Sequence, residues 1–173
     1  MQGKYFQNLI INNSLTLFSV GKTSLLNQYV KKTFSMQYKS TIGADFLSKE
    51  TTIDGSVVQL QLWDTAGQEK FHAMGASFYR NAECCVLVCD LTEMKSFENI
   101  DSWRQEFLTQ LNPKDPDTFP FILLGNKCDK ESERKVPDNK IRNYCDLKNH
   151  LPYFETSAKE ATNVEKAFEE VAR

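Results

Sequence analysis

Trp63-Asp64-Thr65-Ala66-Gly67-Gln68-Glu69 lies where an alternating stretch ends and a Gly-containing loop begins. Before it, Val58, Leu60 and Leu62 point one way and Gln59 and Gln61 the other, the two-residue period of a strand. That strand delivers Asp64 to its carboxyl end, where ligands collect in open α/β sheets and where a carboxylate can hold Mg²⁺ directly or through water. Gly67, lacking a Cβ, lets the backbone approach a terminal phosphate, and Gln68 can both donate to and accept from a water. Taken alone, the segment also fits an ordinary strand-to-helix turn, so the rest of the chain has to decide.

Working outward, 173 residues suit one domain with a core that needs neither disulfide nor structural metal. The 21 basic and 23 acidic residues nearly balance, which gives no sign of nucleic acid or an anionic membrane as partner. No apolar run is long enough to span a membrane, and Leu9-Ile10-Ile11 is too short for a signal-peptide core. Of the five cysteines, three fall in Cys84-Cys85-Val86-Leu87-Val88-Cys89, which reads as a buried strand of reduced thiols. His72 and His150 are isolated, which argues against zinc.

Strand and helix patterns alternate with no repeat or linker. Lys22 to Val30 reads as a helix, Phe46 to Ile53 and the strand ending at Trp63 as a hairpin turning at Asp54-Gly55, and 84 to 90 as a buried strand. Phe97, Ile100, Trp103, Phe107 and Leu111 mark one long amphipathic helix that ends at Pro113 and Pro116. A strand from Phe121 to Leu124, a helix around Ile141, Tyr144 and Cys145, a short strand from Tyr153 to Thr156 and a helix carrying Val164, Phe168 and Val171 complete the chain. The order predicts a mostly parallel sheet covered by helices on both faces.

Three further signals follow strands. In Gly125-Asn126-Lys127-Cys128-Asp129 the carboxylate of Asp129 offers two acceptors to the two adjacent donors of guanine's Watson–Crick edge and opposes the lone pair at adenine N1. Lys127 can lay its alkyl stem over the base. Thr156-Ser157-Ala158-Lys159 can supply backbone N–H groups to the guanine carbonyl, although a helix-capping Ser reads the same way. Gly21-Lys22-Thr23 matches the second half of a phosphate-binding loop, with Lys22 for the β and γ phosphates, the Thr23 hydroxyl for Mg²⁺ and the helix amino terminus adding donors. In order, and together with Thr41 and Asp64, these point to a guanine nucleotide site.

These residues resemble the Rab family of small Ras-like GTPases over positions 20–173. Ile42-Gly43-Ala44-Asp45-Phe46, Leu60 to Asp64, Ala66 to Phe71, Phe78 to Ala82 and Leu87 to Thr92 are similar to segments that separate Rabs from other Ras-like proteins. Asp101 to Arg104, Asn112 to Pro116 and Pro152 to Thr156 look most like the late-endosomal and lysosomal branch. The resemblance implies an α/β, three-layer P-loop GTPase (Ras-like) fold with one antiparallel hairpin strand. It implies a switch that hydrolyses GTP to GDP with Mg²⁺ and regulates vesicle traffic at late endosomes and lysosomes. By the same resemblance, Ser19, Val20, Gly21, Lys22, Thr23, Ser24, Tyr38, Thr41 and Gly67 meet the phosphates. Phe34, Asn126, Lys127, Asp129, Ser157, Ala158 and Lys159 would meet the base, Thr23, Thr41 and Asp64 the metal, and Gln68 would orient the attacking water. Ile42, Gly43, Phe46, Trp63 and Phe78 would meet effectors, although core packing alone explains any one of the three aromatics. Effector proteins, an exchange factor, a GTPase-activating protein and a GDP-dissociation inhibitor are the implied partners of a monomer.

Both ends depart from the family. Rabs carry Gly at the positions of Thr16 and Ser19 and a small residue at Phe18, and the preceding strand would here read Ile11-Asn12-Asn13-Ser14-Leu15, too polar for a central strand. Replacing a Gly that needs positive φ costs about 1–3 kcal/mol, so phosphate binding is expected to weaken, and Phe18 beside the γ phosphate to slow hydrolysis. Residues 1–19 therefore read as an atypical segment, from an alternative or misassigned first exon, before a 20–173 GTPase domain. The chain stops at Arg173 without the prenylated cysteines of Rabs, so a chain complete as written is expected to be cytosolic and to join a membrane only through a lipidated tail. Two functions follow: a cycling GTP switch, or a degenerate GTPase fold that binds partners without cycling.

Overall fold

The alternation before Asp64 is realised in the strand Ser56–Thr65 (β3), where Val58, Leu60 and Leu62 are buried and the intervening glutamines are half-buried. The computed structural model describes residues 5–12 and 44 through their backbone, and 19–37, 41, 45–65, 79 and 81–173 in full. Ala44–Ile53 (β2) pairs antiparallel with β3, from Ala44 opposite Thr65 to Ile53 opposite Ser56. The two residues between them, Asp54 and Gly55, both have positive φ (48° and 81°), the geometry whose twist matches a two-residue hairpin.

The strand Tyr5–Asn12 (β1) runs parallel between β3 and Cys84–Asp90 (β4). The resemblance aligns the first strand with Ile11 to Leu15, a run too polar for a central position, whereas β1 lies earlier, with Ile11 and Asn12 at its end. Leu9, Ile10 and Ile11 pair with Leu62, Trp63 and Asp64 on one side and with Cys84, Cys85 and Val86 on the other. A strand flanked by neighbours on both edges favours its most apolar run, and Asn12 is its last residue. Phe121–Asn126 (β5) and Tyr153–Thr156 (β6) continue the sheet in the order β2-β3-β1-β4-β5-β6, all parallel except β2.

Among the described residues, five α-helices cover it: Lys22–Lys31 (α1), Met94–Glu98 (α2), Ile100–Leu111 (α3), Asp138–Leu147 (α4) and Val164–Val171 (α5). Because strand residues alternate, the core divides in two. Leu60, Leu62, Val86, Val88, Ile122 and Leu124 pack with Leu25, Leu26 and Tyr29 of α1 and Val164, Ala167 and Phe168 of α5, where the Tyr29 and Phe168 rings stack 4.3 Å apart. Cys85, Leu87, Cys89, Phe121 and Leu123 face Phe97, Ile100, Trp103 and Phe107 of α2 and α3 and Ile141 of α4. The single long helix expected from Phe97 through Leu111 is divided at Asn99, whose backbone nevertheless stays in the helical region (φ −83°, ψ −7°), donates to the Lys95 carbonyl at 3.3 Å and accepts from Trp103 N–H at 3.1 Å. The chain closes that helix at Asn112, in the left-handed conformation (φ 48°), one residue before Pro113. All parallel strands thus end on one edge, and the loops that leave it carry the site.

Candidate phosphate and guanine site

Gly21 opens α1 with φ 89° and ψ 28°, a backbone that an L side chain adopts only under strain. Its carbonyl accepts the first helical bond, from Leu25 N–H at 2.9 Å, and the first turn holds no acidic residue. No side chain caps that terminus, and a helix amino terminus with its N–H donors and positive dipole end is of the kind that attracts an anion. Lys22, the first helical residue, is buried. Burial pushes its ammonium down to about 8 while Asp64 pulls it back up. A cation held in that state gains from a phosphate beside it.

Three oxygens from distant parts of the chain converge next to it. Thr23 Oγ1 donates to Asp64 Oδ2 at 2.5 Å and lies 2.9 Å from Thr41 Oγ1, which is itself 3.5 Å from the same carboxylate oxygen. Asp64 is 1% exposed, and its Oδ1 has no hydrogen-bond partner among the described residues. Burial pushes its carboxyl up, against the hydroxyl of Thr23 and the charge of Lys22, which favour the ionised form. A buried carboxylate with one unused oxygen beside two hydroxyls is a hard oxygen donor set, the type that takes Mg²⁺.

The second half of the site is built from the ends of β5 and β6. Asn126 is buried, its Nδ2 donates to the Val20 carbonyl at 2.8 Å, and its Oδ1 accepts from Ala158 N–H at 3.2 Å and Thr156 Oγ1 at 3.4 Å. This one amide ties Val20, just before α1, to the chain leaving β6. Asp129 is exposed, and its Oδ1 accepts from Ser157 Oγ at 2.6 Å. The Ser157 hydroxyl also accepts from Glu160 N–H, and Cys128 N–H donates to the Thr156 carbonyl, so the two loops hold each other. Arg134 braces them from behind, donating to Glu155 Oε2 at 2.5 Å and to Glu131 at 3.0 Å. Lys127 has φ 66°, and its ammonium lies 2.6 Å from Asp90 Oδ2, a partner that sequence reading missed. The signal was present in Cys89-Asp90, since an acidic residue ending a buried strand must find a partner.

Ser19 and Lys159 are exposed, Val20 is buried, Ser24 is half-buried, and Phe34 is 39% exposed. Phe46 and Trp63 are cross-strand partners on the hairpin, with ring centroids 4.9 Å apart and Phe46 45% exposed. Tyr38, Ile42, Gly43, Gly67, Gln68 and Phe78, with Thr16 and Phe18, lie outside the described residues.

A parallel sheet whose strand ends join a left-handed Gly-Lys-Thr helix start to a cross-linked Asn-Lys-x-Asp loop defines the P-loop nucleotide-binding class. Among known proteins, the model described as "Ras family" matches residues 16–173. The "Ras-related protein Rab-7a" of Dictyostelium discoideum is 60% identical over 154 residues, covering 89% of this chain and 76% of that protein. The "Ypt/Rab-type GTPase ypt7" of Schizosaccharomyces pombe is 61% identical over 155 residues, with the same shares covered. The "Ras-related protein Rab-7a" of Paramecium octaurelia is 54% identical over 168 residues, 97% of this chain and 80% of that protein, a match long enough to take in part of residues 1–19. The chain belongs to the Ras family of small GTPases, in its Rab group.

Proposed function

We propose that this protein is a guanine-nucleotide switch that hydrolyses GTP to GDP and regulates traffic to late endosomes and lysosomes or the vacuole. Similarity to Rab-7a and ypt7 proteins supports the cellular role. The observation that carries the switch is the meeting of Thr41 with Thr23 and Asp64, because Thr41 stands between α1 and β2, far along the chain from both partners. In this reading Lys22 and the α1 amino terminus bind the β and γ phosphates. Asp129, Ser157 and Ala158 read the guanine edge, Lys127 and Phe34 flank its faces, and Gln68 orients the water. Thr23, Thr41 and Asp64 hold Mg²⁺, which when bound neutralises phosphate charge. Phe46 and Trp63 present an aromatic surface to effector proteins. An exchange factor, a GTPase-activating protein and a GDP-dissociation inhibitor complete the cycle.

The purified protein is expected to carry near-stoichiometric GDP, released by acid and identified by chromatography. EDTA is expected to speed GDP release from the parent, and Thr23→Ala to release GDP faster and with little further response to EDTA. Protein free of guanine nucleotide that also fails to take up GDP would overturn the reading.

A further inference from the structure

The carboxyl end of β4 holds a charged contact that phosphate and base recognition leave unused. Asp90 ends that strand directly opposite Asn126, the last residue of β5. Its side chain is 5% exposed, and its two oxygens have separate tasks. Oδ1 accepts from Thr92 N–H at 2.8 Å and from the Thr92 hydroxyl at 2.7 Å, which fixes the carboxylate plane. Oδ2 faces the Lys127 ammonium at 2.6 Å. Lys127 is thus held at both ends, by a left-handed backbone (φ 66°) and by an ion pair on the neighbouring strand. A lysine side chain otherwise samples many rotamers, and ordering one costs up to about 2 kcal/mol.

We propose that Asp90 is a positioning residue for the purine base. It holds the Lys127 ammonium so that the methylene stem is a pre-formed apolar shelf across the mouth of the base site. The inference rests on the reading that the loops after β5 and β6 take a guanine base. Asp90 acts through Lys127 and touches no nucleotide itself. Its other visible task, receiving Thr92 at the turn into α2, is structural and separable. In Asp90→Asn the amide oxygen can still accept from Thr92, which places the NH₂ group, a donor, against the Lys127 ammonium. The turn is kept and the shelf is released.

The test is a double-mutant cycle read by stopped-flow dissociation of a ribose-labelled fluorescent GDP from the full chain, for the parent, Asp90→Asn, Lys127→Met and the double variant. Met keeps an apolar stem without the ammonium. Asp90→Asn is expected to speed dissociation about tenfold, on the scale of one hydrogen bond to a charged group. In the Lys127→Met background the same change is expected to add nothing. The preference for GDP over IDP, which Asp129 sets through the 2-amino group, is expected to stay at the parent ratio in Asp90→Asn. Effects that multiply, an unchanged rate in Asp90→Asn, or a GDP-to-IDP ratio that moves as it does in Asp129→Asn would overturn the positioning role. A parent that binds no GDP would instead overturn the underlying site reading. If Asp90→Asn does not fold, Asp90→Glu, which displaces the charge by one methylene, takes its place in the same cycle with the same expectation.

Discussion

Replacing Gly21 by Ala separates what the site costs the fold from what it contributes to the ligand. At φ 89° an alanine has to adopt a left-handed conformation, a cost of about 1–2 kcal/mol. Its Cβ would also lie 2.5 Å from Asn126 Nδ2, closer than real contacts allow. Asn126 cannot simply swing away, because its amide bonds to the Val20 carbonyl and to Ala158 N–H. Displacing it loses at least one buried hydrogen bond, worth about 1–2 kcal/mol. The sum is roughly 2–4 kcal/mol, a large share of a domain's marginal stability and about 5–15 °C in Tm. The backbone strain is present with or without nucleotide, so only the Asn126 part should appear in binding, as about a tenfold faster release of GDP. Chemical denaturation and GDP dissociation measured on the parent, Gly21→Ala, Asn126→Ala and the double variant check both parts. Shortening Asn126 removes the clash, so the two changes together should destabilise less than their sum by about 1 kcal/mol. Parent-like stability and release in Gly21→Ala would refute the placement of Gly21 against Asn126.

If Asp129 faces guanine as proposed, Asp129→Asn exchanges one acceptor for a donor, so GDP affinity should fall about ten- to a hundredfold while a xanthine nucleotide, with a carbonyl at C2, gains; competition titrations that leave the guanine preference intact would remove Asp129 from base reading. Partial burial raises the Glu165 carboxyl, but hydrogen bonds from Lys32 and Lys49 outweigh it and hold it below its ordinary 4.5. The resulting stability is present above that pH and is lost as pH falls through the lower folded value. Glu165→Gln should therefore lower stability at pH 7, by at most about 1 kcal/mol for so exposed a pair, and the difference should shrink well below pH 4.5; a difference constant with pH would show that packing, not charge, is responsible.

The elements that sequence resolved are those whose burial is periodic and whose ends are punctuated. In β3 the alternation of Val58, Leu60 and Leu62 with two glutamines is the burial pattern itself. The hairpin was legible because Asp54-Gly55 tolerates positive φ at both positions. The first strand was not located in sequence: the resemblance aligns it with the polar run Ile11 to Leu15, and Leu9-Ile10-Ile11, which β3 and β4 pair with, reads there only as a run too short for a signal-peptide core. Asp64, the Asn126 to Asp129 run and the Thr156 to Lys159 run were legible because each stands at the carboxyl end of a strand, whereas Thr41 precedes β2 and its role rested on the resemblance alone. The site's cross-links were not legible, because Asn126 to Val20 and Asp90 to Lys127 join positions that only the sheet order brings together.

The phosphate and base halves of the site are consequently not independent, and the chemistry of one side chain dictates why. The group at position 126 faces a carbonyl, which demands a donor, and an amide N–H and a hydroxyl, which demand an acceptor. An aspartate would set a charged oxygen against the Val20 carbonyl, and a leucine would leave all three partners unsatisfied in a buried place. The amide must also stand at a fixed height. Gly125 just before it has no room for a Cβ, which would fall 2.8 Å from Leu91 Cδ2 and 2.8 Å from the Tyr153 hydroxyl. Close packing of β5 between the ends of β4 and β6 therefore sets where Asn126 sits. Asn126 in turn fixes the chain at Val20, one residue before the left-handed turn that aims the α1 amino terminus. In the proposed reading, with Asp129 at the base and Lys22 at the phosphates, that amide couples the two, so a change that loosens either loop would be felt at both ends of the nucleotide.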